Sequence, residues 1–231
     1  METHWHLSEQ DFFLGLEQEK RAFLALAERL CYKRNSFIFL ESEPGDQAYY
    51  LERGTVLIFR TSSEGKEPIM SVRQPGEIFG LAEVLGGRER KCNARAISES
   101  VVHRIKGADF EHLLAAHYPL ARRVIEVLGR RLRYMNEVLE NVMVLDAPTR
   151  LLKALIYLCF SQLAGEREGD WDKPVAVPMR LTQEHIASLT GSCQQTVSEI
   201  MKSLQQEGLI NVSGREITVL NPLEIMKRLS I

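Results

Sequence analysis

TQEHIASLTGSCQQTVSEIMKSLQQEGLI, from Thr182 to Ile210, reads as two short helices about a glycine turn. The turn needs a residue that tolerates positive φ, which Gly191 supplies. Ile186, Leu189, Val197, Ile200 and Leu204 fall where two crossed helices must bury contacts. A helix-turn-helix and a plain helical hairpin share this spacing, so the surrounding chain has to decide between them. Downstream, INVSGREITVL reads as two short strands about Gly214, which adds a wing to the helix pair. The expected helices run over Thr149 to Leu163, Gln183 to Leu189 and Ser192 to Gln206.

Working back toward the N-terminus, LDAPTR interrupts the pattern: Asp146 is a good N-cap and Pro148 suits the first turn of a new helix, so a hinge is expected there. Before it, Ala121, Ile125, Leu128, Leu132, Met135, Leu139 and Val142 recur at alternating spacings of four and three, which keeps them on one seam of a long helix. The other faces carry Arg122, Arg123, Arg130, Arg131 and Arg133. A seam of this kind wants a partner helix, and a parallel two-helix contact between two copies is the economical reading against an ordinary amphipathic core helix. From Tyr32 to about Ile105 the apolar period drops to two, in SFIFL, AYYLE, TVLIF and PIMSV, separated by PGD, RG, SSEGKE and QPGE. Such regular Gly/Pro punctuation predicts an antiparallel sandwich or roll. Residues from Leu7 to Cys31 have helical spacing and read as short helices.

Composition bounds the rest. The 231 residues, 45% hydrophobic, suffice for real cores, and 29 Lys+Arg against 31 Asp+Glu exclude a globally basic nucleic-acid coat protein. Cys31, Cys92, Cys159 and Cys193 form no CxxC pair, so neither a zinc site nor a disulfide scaffold is expected. The N-terminus lacks a signal pattern, and the apolar run LLKALIYLCF is short and broken by Lys153, so a soluble, cytoplasmic chain without a membrane span is expected. No HExxH, GxSxG, Walker loop or GxGxxG occurs, and no catalytic or metal residues are assigned.

A roll, a long seam helix and a terminal winged module, in that order, resemble the cAMP receptor protein and fumarate-nitrate regulator (Crp/Fnr) family of bacterial transcription factors. The residues that carry the resemblance are PGDQAYYLERGTVLIF, PGEIFGLAEVLGGRERKCNARA, LDAPTRLLKAL and the stretch quoted first. It implies an α+β fold: a sensing β-roll over residues 1–117, a dimerisation helix over 118–145 and a winged helix-turn-helix over 146–231. It also implies a homodimer whose recognition helices enter successive major grooves of a two-fold-symmetric duplex, with half-sites roughly 34 Å apart. A small-molecule effector is a further implied partner, as is RNA polymerase where the protein activates.

In cyclic-nucleotide-binding members the stretch matching PGEIFG to ARA holds the ligand: a glutamate after the glycine takes the ribose hydroxyl, and an arginine–serine pair takes the phosphate. Here Leu81 follows Gly80 and Lys91 stands at the serine position, so only Arg90 matches and cAMP is not the expected effector. Glu83 lies two residues beyond the expected glutamate position. The cluster Arg88, Arg90, Lys91 and Arg95 is a candidate for another anion, against a solvated basic loop. A hydrophobic effector is the other option, with Leu81 in place of the polar contact and Met135 and Asn136 at positions matching the family's ligand-facing helix residues. Cys92, beside Arg90 and Lys91, is a candidate redox thiol of lowered pKa, against a small buried strand residue. The cofactor is left open. An iron–sulfur cluster needs more N-terminal thiolates than Cys31 and Cys92 provide, and haem would have to use His4, His6, His103, His112 or His117 without a motif.

On the DNA side, the chain from Ala147 onward carries nine Lys/Arg and nine Asp/Glu and is neutral, with acids clustered in GEREGDWD. Modest non-specific affinity follows. Thr182, Ser192, Thr196 and Lys202 are candidate phosphate contacts, and Gln194, Gln195 and Glu199, with Ser198, are candidate base contacts. Family members commonly place arginine and glutamate there. Glutamine pairs with adenine N6 and N7 and glutamate accepts from cytosine N4, so a different operator is expected. Glu199 can alternatively face solvent or pair with Lys202. A dimeric sensor that has lost specific DNA binding is the competing reading.

Overall fold

The computed structural model describes residues 11–65, 67–163, 171–177 and 179–229. They fall into two compact units, one up to Gly129 and one from Arg130 onward.

In the first unit, α1 (Glu17–Leu26) leads into β1 (Glu28–Tyr32), β2 (Phe37–Phe39), β3 (Gln47–Arg53), β4 (Val56–Phe59), β5 (Ile69–Arg73) and β6 (Ile78–Phe79). The one-turn α2 (Leu81–Val84), β7 (Asn93–Ala96), β8 (Ser100–Lys106), α3 (Gly107–Ala116) and the start of α4 (Tyr118–Val144), a helix whose residues from Arg130 belong to the second unit, follow. Two four-stranded antiparallel sheets form, ordered β1-β8-β3-β6 and β2-β7-β4-β5. Alternation along β3 explains the layering. Tyr49 and Leu51 face inward to Phe39, Val56, Ile58, Phe79, Ala94 and Val102, a core shared by both sheets. Ala48 and Tyr50 face the opposite way, into a second core with Phe12, Phe13, Phe23, Phe110, Leu120, Val124 and Val127 from the helices. Phe23 is fully buried against the tilted ring of Phe13 and the edge-on rings of Tyr50 and Phe110. The turns lie at the expected Gly/Pro clusters. At Gly54, φ is 99° and a Cβ would come within 2.2 Å of Ser100 Oγ, so both conformation and space require glycine.

The helical reading of the segment ending at Cys31 is corrected at its end. Glu28–Tyr32 is a strand, paired antiparallel with β8 from Glu28↔Arg104 to Tyr32↔Ser100. That pairing joins residues from Glu28 and Arg104 to Tyr32 and Ser100, far apart along the chain, and local periodicity is blind to it.

α4 has two apolar stripes. Leu120, Val124 and Val127 are buried in the helix-side core. The seam lies on another face and is exposed: Ile125 70%, Leu128 42%, Leu132 65%, Met135 47%, Leu139 61% and Val142 47%.

In the second unit, α5 (Ala147–Leu163) begins as Asp146 implied: Asp146 Oδ1 accepts from the Thr149 amide at 3.0 Å. β9 (Val175–Ala176), α6 (Gln183–Leu189), α7 (Gln194–Gln206), β10 (Ile210–Ser213), β11 (Glu216–Val219) and α8 (Pro222–Leu229) complete it, with the sheet ordered β10-β11-β9. Leu151, Leu155, Ile156 and Cys159 of α5 are buried, as are Ile186, Val197, Met201, Leu204 and Ile225. α7 starts two residues later than expected, because Cys193 rather than a residue before Ser192 caps it. Neither β9 nor α8 was expected from the sequence. No described helix is long and apolar enough to cross a membrane.

Candidate functional site

The roll places the matched arginine in its interior. Arg90 is 1% exposed and its guanidinium lies 4.4 Å from the Phe39 ring centroid and 5.9 Å from that of Tyr49. Arg90 Nη1 donates to Glu83 Oε2 at 3.1 Å and to the Gly80 carbonyl at 3.0 Å, and Nη2 donates to the Gln47 carbonyl. Glu83 is itself buried at the third position of α2, reached through Gly80 at φ 75°. Burial pushes the Tyr49 hydroxyl up to about 12, against the pull of Arg90, so it stays neutral.

The other expected members of the basic cluster do not converge on Arg90. Arg88 and Lys91 are exposed. Arg95 forks onto Glu67 at 2.5 and 3.0 Å and covers the Phe59 ring at 4.5 Å. Leu81 belongs to the helix-side core, which corrects the expectation that it faces an effector in place of a polar contact. Met135 and Asn136 are exposed on α4. The redox expectation for Cys92 is also corrected. Half-buried against the inter-sheet core, its thiol is pushed up to about 11, first by burial and next by the charge of Glu83, which outweigh Arg90. Of the histidines, His4 and His6 lie outside the described residues; His103 Nε2 is 2.6 Å from Glu52 Oε2, His117 Nδ1 is 3.9 Å from Glu19 Oε1, and His112 is exposed. No group of three or more metal-ligating side chains occurs among the described residues.

In the helix-turn-helix, Thr182 caps α6: its hydroxyl accepts from the His185 amide at 3.1 Å while His185 Nδ1 accepts from the Thr182 amide at 3.4 Å. Gly191 has φ 59°, as the turn demanded. Ile186, Val197 and Leu204 are buried as expected, and Leu189 and Ile200 half-buried. The outward face of α7 presents Gln194, Gln195, Glu199 and Lys202 as exposed side chains, with Thr196 and Ser198 partly exposed. Gln195 Nε2 donates to Glu199 Oε1 at 3.2 Å, so the partner of Glu199 is Gln195 and not Lys202. Ser192 is tied to the turn, accepting from Arg150 Nη2 at 3.3 Å and donating to the Thr190 carbonyl at 3.4 Å.

Two residues escaped the sequence reading. Arg150 donates to the carbonyls of Leu145, after α4, and of Thr190, after α6, both at 2.7 Å. It thus caps two helix C-termini at once and links the α4–α5 junction to the turn. Only its place two residues after Pro148 hinted at this. Cys193 is exposed at the start of α7, where hydrogen bonds from the Thr196 hydroxyl and amide lower its thiol pKa. The helix start at Gln194 was the missing signal.

Two family models match the chain: a cyclic nucleotide-binding domain over residues 29–117 and a Crp-like helix-turn-helix domain over residues 149–227. The chain belongs to the Crp/Fnr family. Among curated relatives, a CRP-like cAMP-activated global transcriptional regulator of Mycobacterium tuberculosis is 28% identical over 225 residues, covering 96% of this chain and 97% of the relative. The structure of TTHB099, a CRP-family transcriptional regulator of Thermus thermophilus, is similar with a TM-score of 0.70 at 25% identity, covering 87% of this chain and 97% of that one. FixK2 of Bradyrhizobium japonicum shares the fold, with a TM-score of 0.73 at 22% identity over 87% of this chain and 96% of that one. Like other Crp/Fnr chains, this is a DNA-binding transcription regulator with a cyclic nucleotide-binding domain, and not an enzyme.

Proposed function

We propose that this Crp/Fnr regulator acts in the cytoplasm as a homodimer on a two-fold-symmetric operator and responds to an effector other than cAMP. The observation that carries the reading is the exposed seam of α4. Six large apolar side chains on one helical face need a symmetric partner, and a second copy supplies one whose seam is complementary by construction. Two copies of α7 then present Gln194, Gln195 and Glu199 to related half-sites, with Thr182, Thr196 and Lys202 at phosphates and adenine favoured at the glutamine contacts. Contact with RNA polymerase follows where the operator lies at an activated promoter.

The departure from cAMP is supported by residues. Leu81 and Lys91 stand where ribose and phosphate contacts would be, Leu81 is committed to the helix-side core, and Lys91 is exposed. Selection from random duplexes with purified full-length protein tests the reading. Enrichment of a palindromic site with half-sites one helical turn apart is expected, and recovery of no two-fold-symmetric site, with or without cell extract, refutes it. Omitting or adding cAMP is expected to leave the enriched site unchanged.

A further inference from the structure

We infer that Glu83 is a built-in counter-ion that occupies the anion seat of the roll, closing to external phosphate the one matched arginine of the cassette. The inference rests on reading the roll as the sensing domain. A buried guanidinium is a strong phosphate fork, because its donors are fixed in a plane and its desolvation has to be offset by an acceptor. In this chain that acceptor is internal. The Glu83 carboxylate reaches Nη1, the Gly80 and Gln47 carbonyls take further donors, and Phe39 covers the guanidinium face.

The backbone around the pair is shaped to hold it. A Cβ on Gly45 would come within 2.5 Å of Glu83 Cβ and 2.3 Å of the Arg88 carbonyl, so glycine there leaves the room in which the Glu83 side chain turns inward. A Cβ on Gly80 would come within 3.1 Å of Arg90 Nη1, and φ of 75° disfavours any other residue. Charge points the same way. Arg90 is paired with Glu83, Arg95 is paired with Glu67, and Arg88 and Lys91 are exposed, so these four cations do not gather into one anion site. One donor is left over: Arg90 Nε is buried without an acceptor. With the Glu83 charge removed, Nε and Nη1 become the donors that a phosphate oxygen would engage.

The seat is therefore latent. Its chemistry is that of a phosphate mono- or diester, and its carboxylate keeps such ligands out. The test uses full-length protein, with cAMP and inorganic phosphate as probes, read by calorimetric titration and thermal shift in the absence of DNA. Wild type is expected to bind neither at Arg90. Glu83→Gln, nearly isosteric and neutral, is expected to gain affinity for at least one probe by about tenfold or more, and Arg90→Gln in the same background to abolish the gain. Glu83→Ala, which removes the side chain altogether, is the second variant, with circular dichroism as the check of folding. Saturable binding by wild type that Arg90→Gln removes overturns the proposal, as does a folded Glu83→Gln or Glu83→Ala protein that binds neither probe. Should neither variant fold, the wild-type titration decides alone: Arg90-dependent binding overturns the proposal and its absence sustains it. Failure of operator selection would sink the dimeric-regulator reading and leave these titrations untouched.

Discussion

Gln195 and Glu199 hold each other on the exposed face of α7, one turn apart at 3.2 Å. To read a base, each must exchange this bond for one to a nucleobase edge, so the net gain per contact is the difference between the two. Gln195→Ala is expected to lower discrimination at a single operator position by about 1–3 kcal/mol, measured by fluorescence anisotropy across single-base variants of the selected site. Unchanged discrimination at every position would remove Gln195 from the reading set. A similar dependence on neighbours governs the thiols. Sequence adjacency to Arg90 and Lys91 made Cys92 a candidate redox thiol against a small buried residue, and burial and Glu83 keep it protonated, while Thr196 lowers the pKa of exposed Cys193. Iodoacetamide at neutral pH, followed by peptide mass mapping, is expected to modify Cys193 well before Cys92 or Cys159, whose thiol burial pushes up to about 12. Faster labelling of Cys92 would overturn this assignment. Residue types and spacings announced these positions, but which thiol is shielded and which is activated was set by burial and by the start of α7, two residues later than its spacing suggested.

Among the elements, α4 was the most legible and also carries the sharpest consequence. Its seam was read from alternating spacings of four and three, and the structure exposes that face while burying Leu120, Val124 and Val127 on another. A charge at the centre of the seam is compatible with an isolated helix and incompatible with a paired one. Leu132→Glu is expected to convert a dimer to a monomer in light-scattering chromatography, with the circular dichroism spectrum of each unit retained and operator affinity falling by at least about a hundredfold as the avidity of paired half-sites is lost. A dimer of unchanged mass would refute the seam. β1 was illegible because its strand character comes from pairing with β8 rather than from its own pattern. α8, with buried Ile225 and Met226, was not expected although its apolar residues sit at helical spacing, because eight residues hold only two turns of that period.

At the scale of the molecule, the neutral charge of the chain from Ala147 onward limits how much phosphate attraction its DNA module can supply. Few cations on the presented face mean that each one matters. Lys202→Gln is expected to weaken binding uniformly across operator variants and to reduce the slope of log affinity against log salt by about 1 for each lysine engaged at a phosphate, measured over a salt titration. A slope unchanged by the substitution would place Lys202 away from the backbone. The order of roll, long helix and winged module was determined by the sequence alone, because it rests on periodicities of two, three-and-a-half and 3.6 and on glycine and proline turns, all of which are local properties of the chain. The same holds for the loss of the ribose- and phosphate-binding types at Leu81 and Lys91. What only the tertiary structure decided is where the buried and capping charges go: Glu83 to Arg90 inside the roll, and Arg150 to the ends of two helices. Burial and a fraction of an ångström in side-chain position determine these partnerships, and neither is a property that a linear pattern of residue types contains.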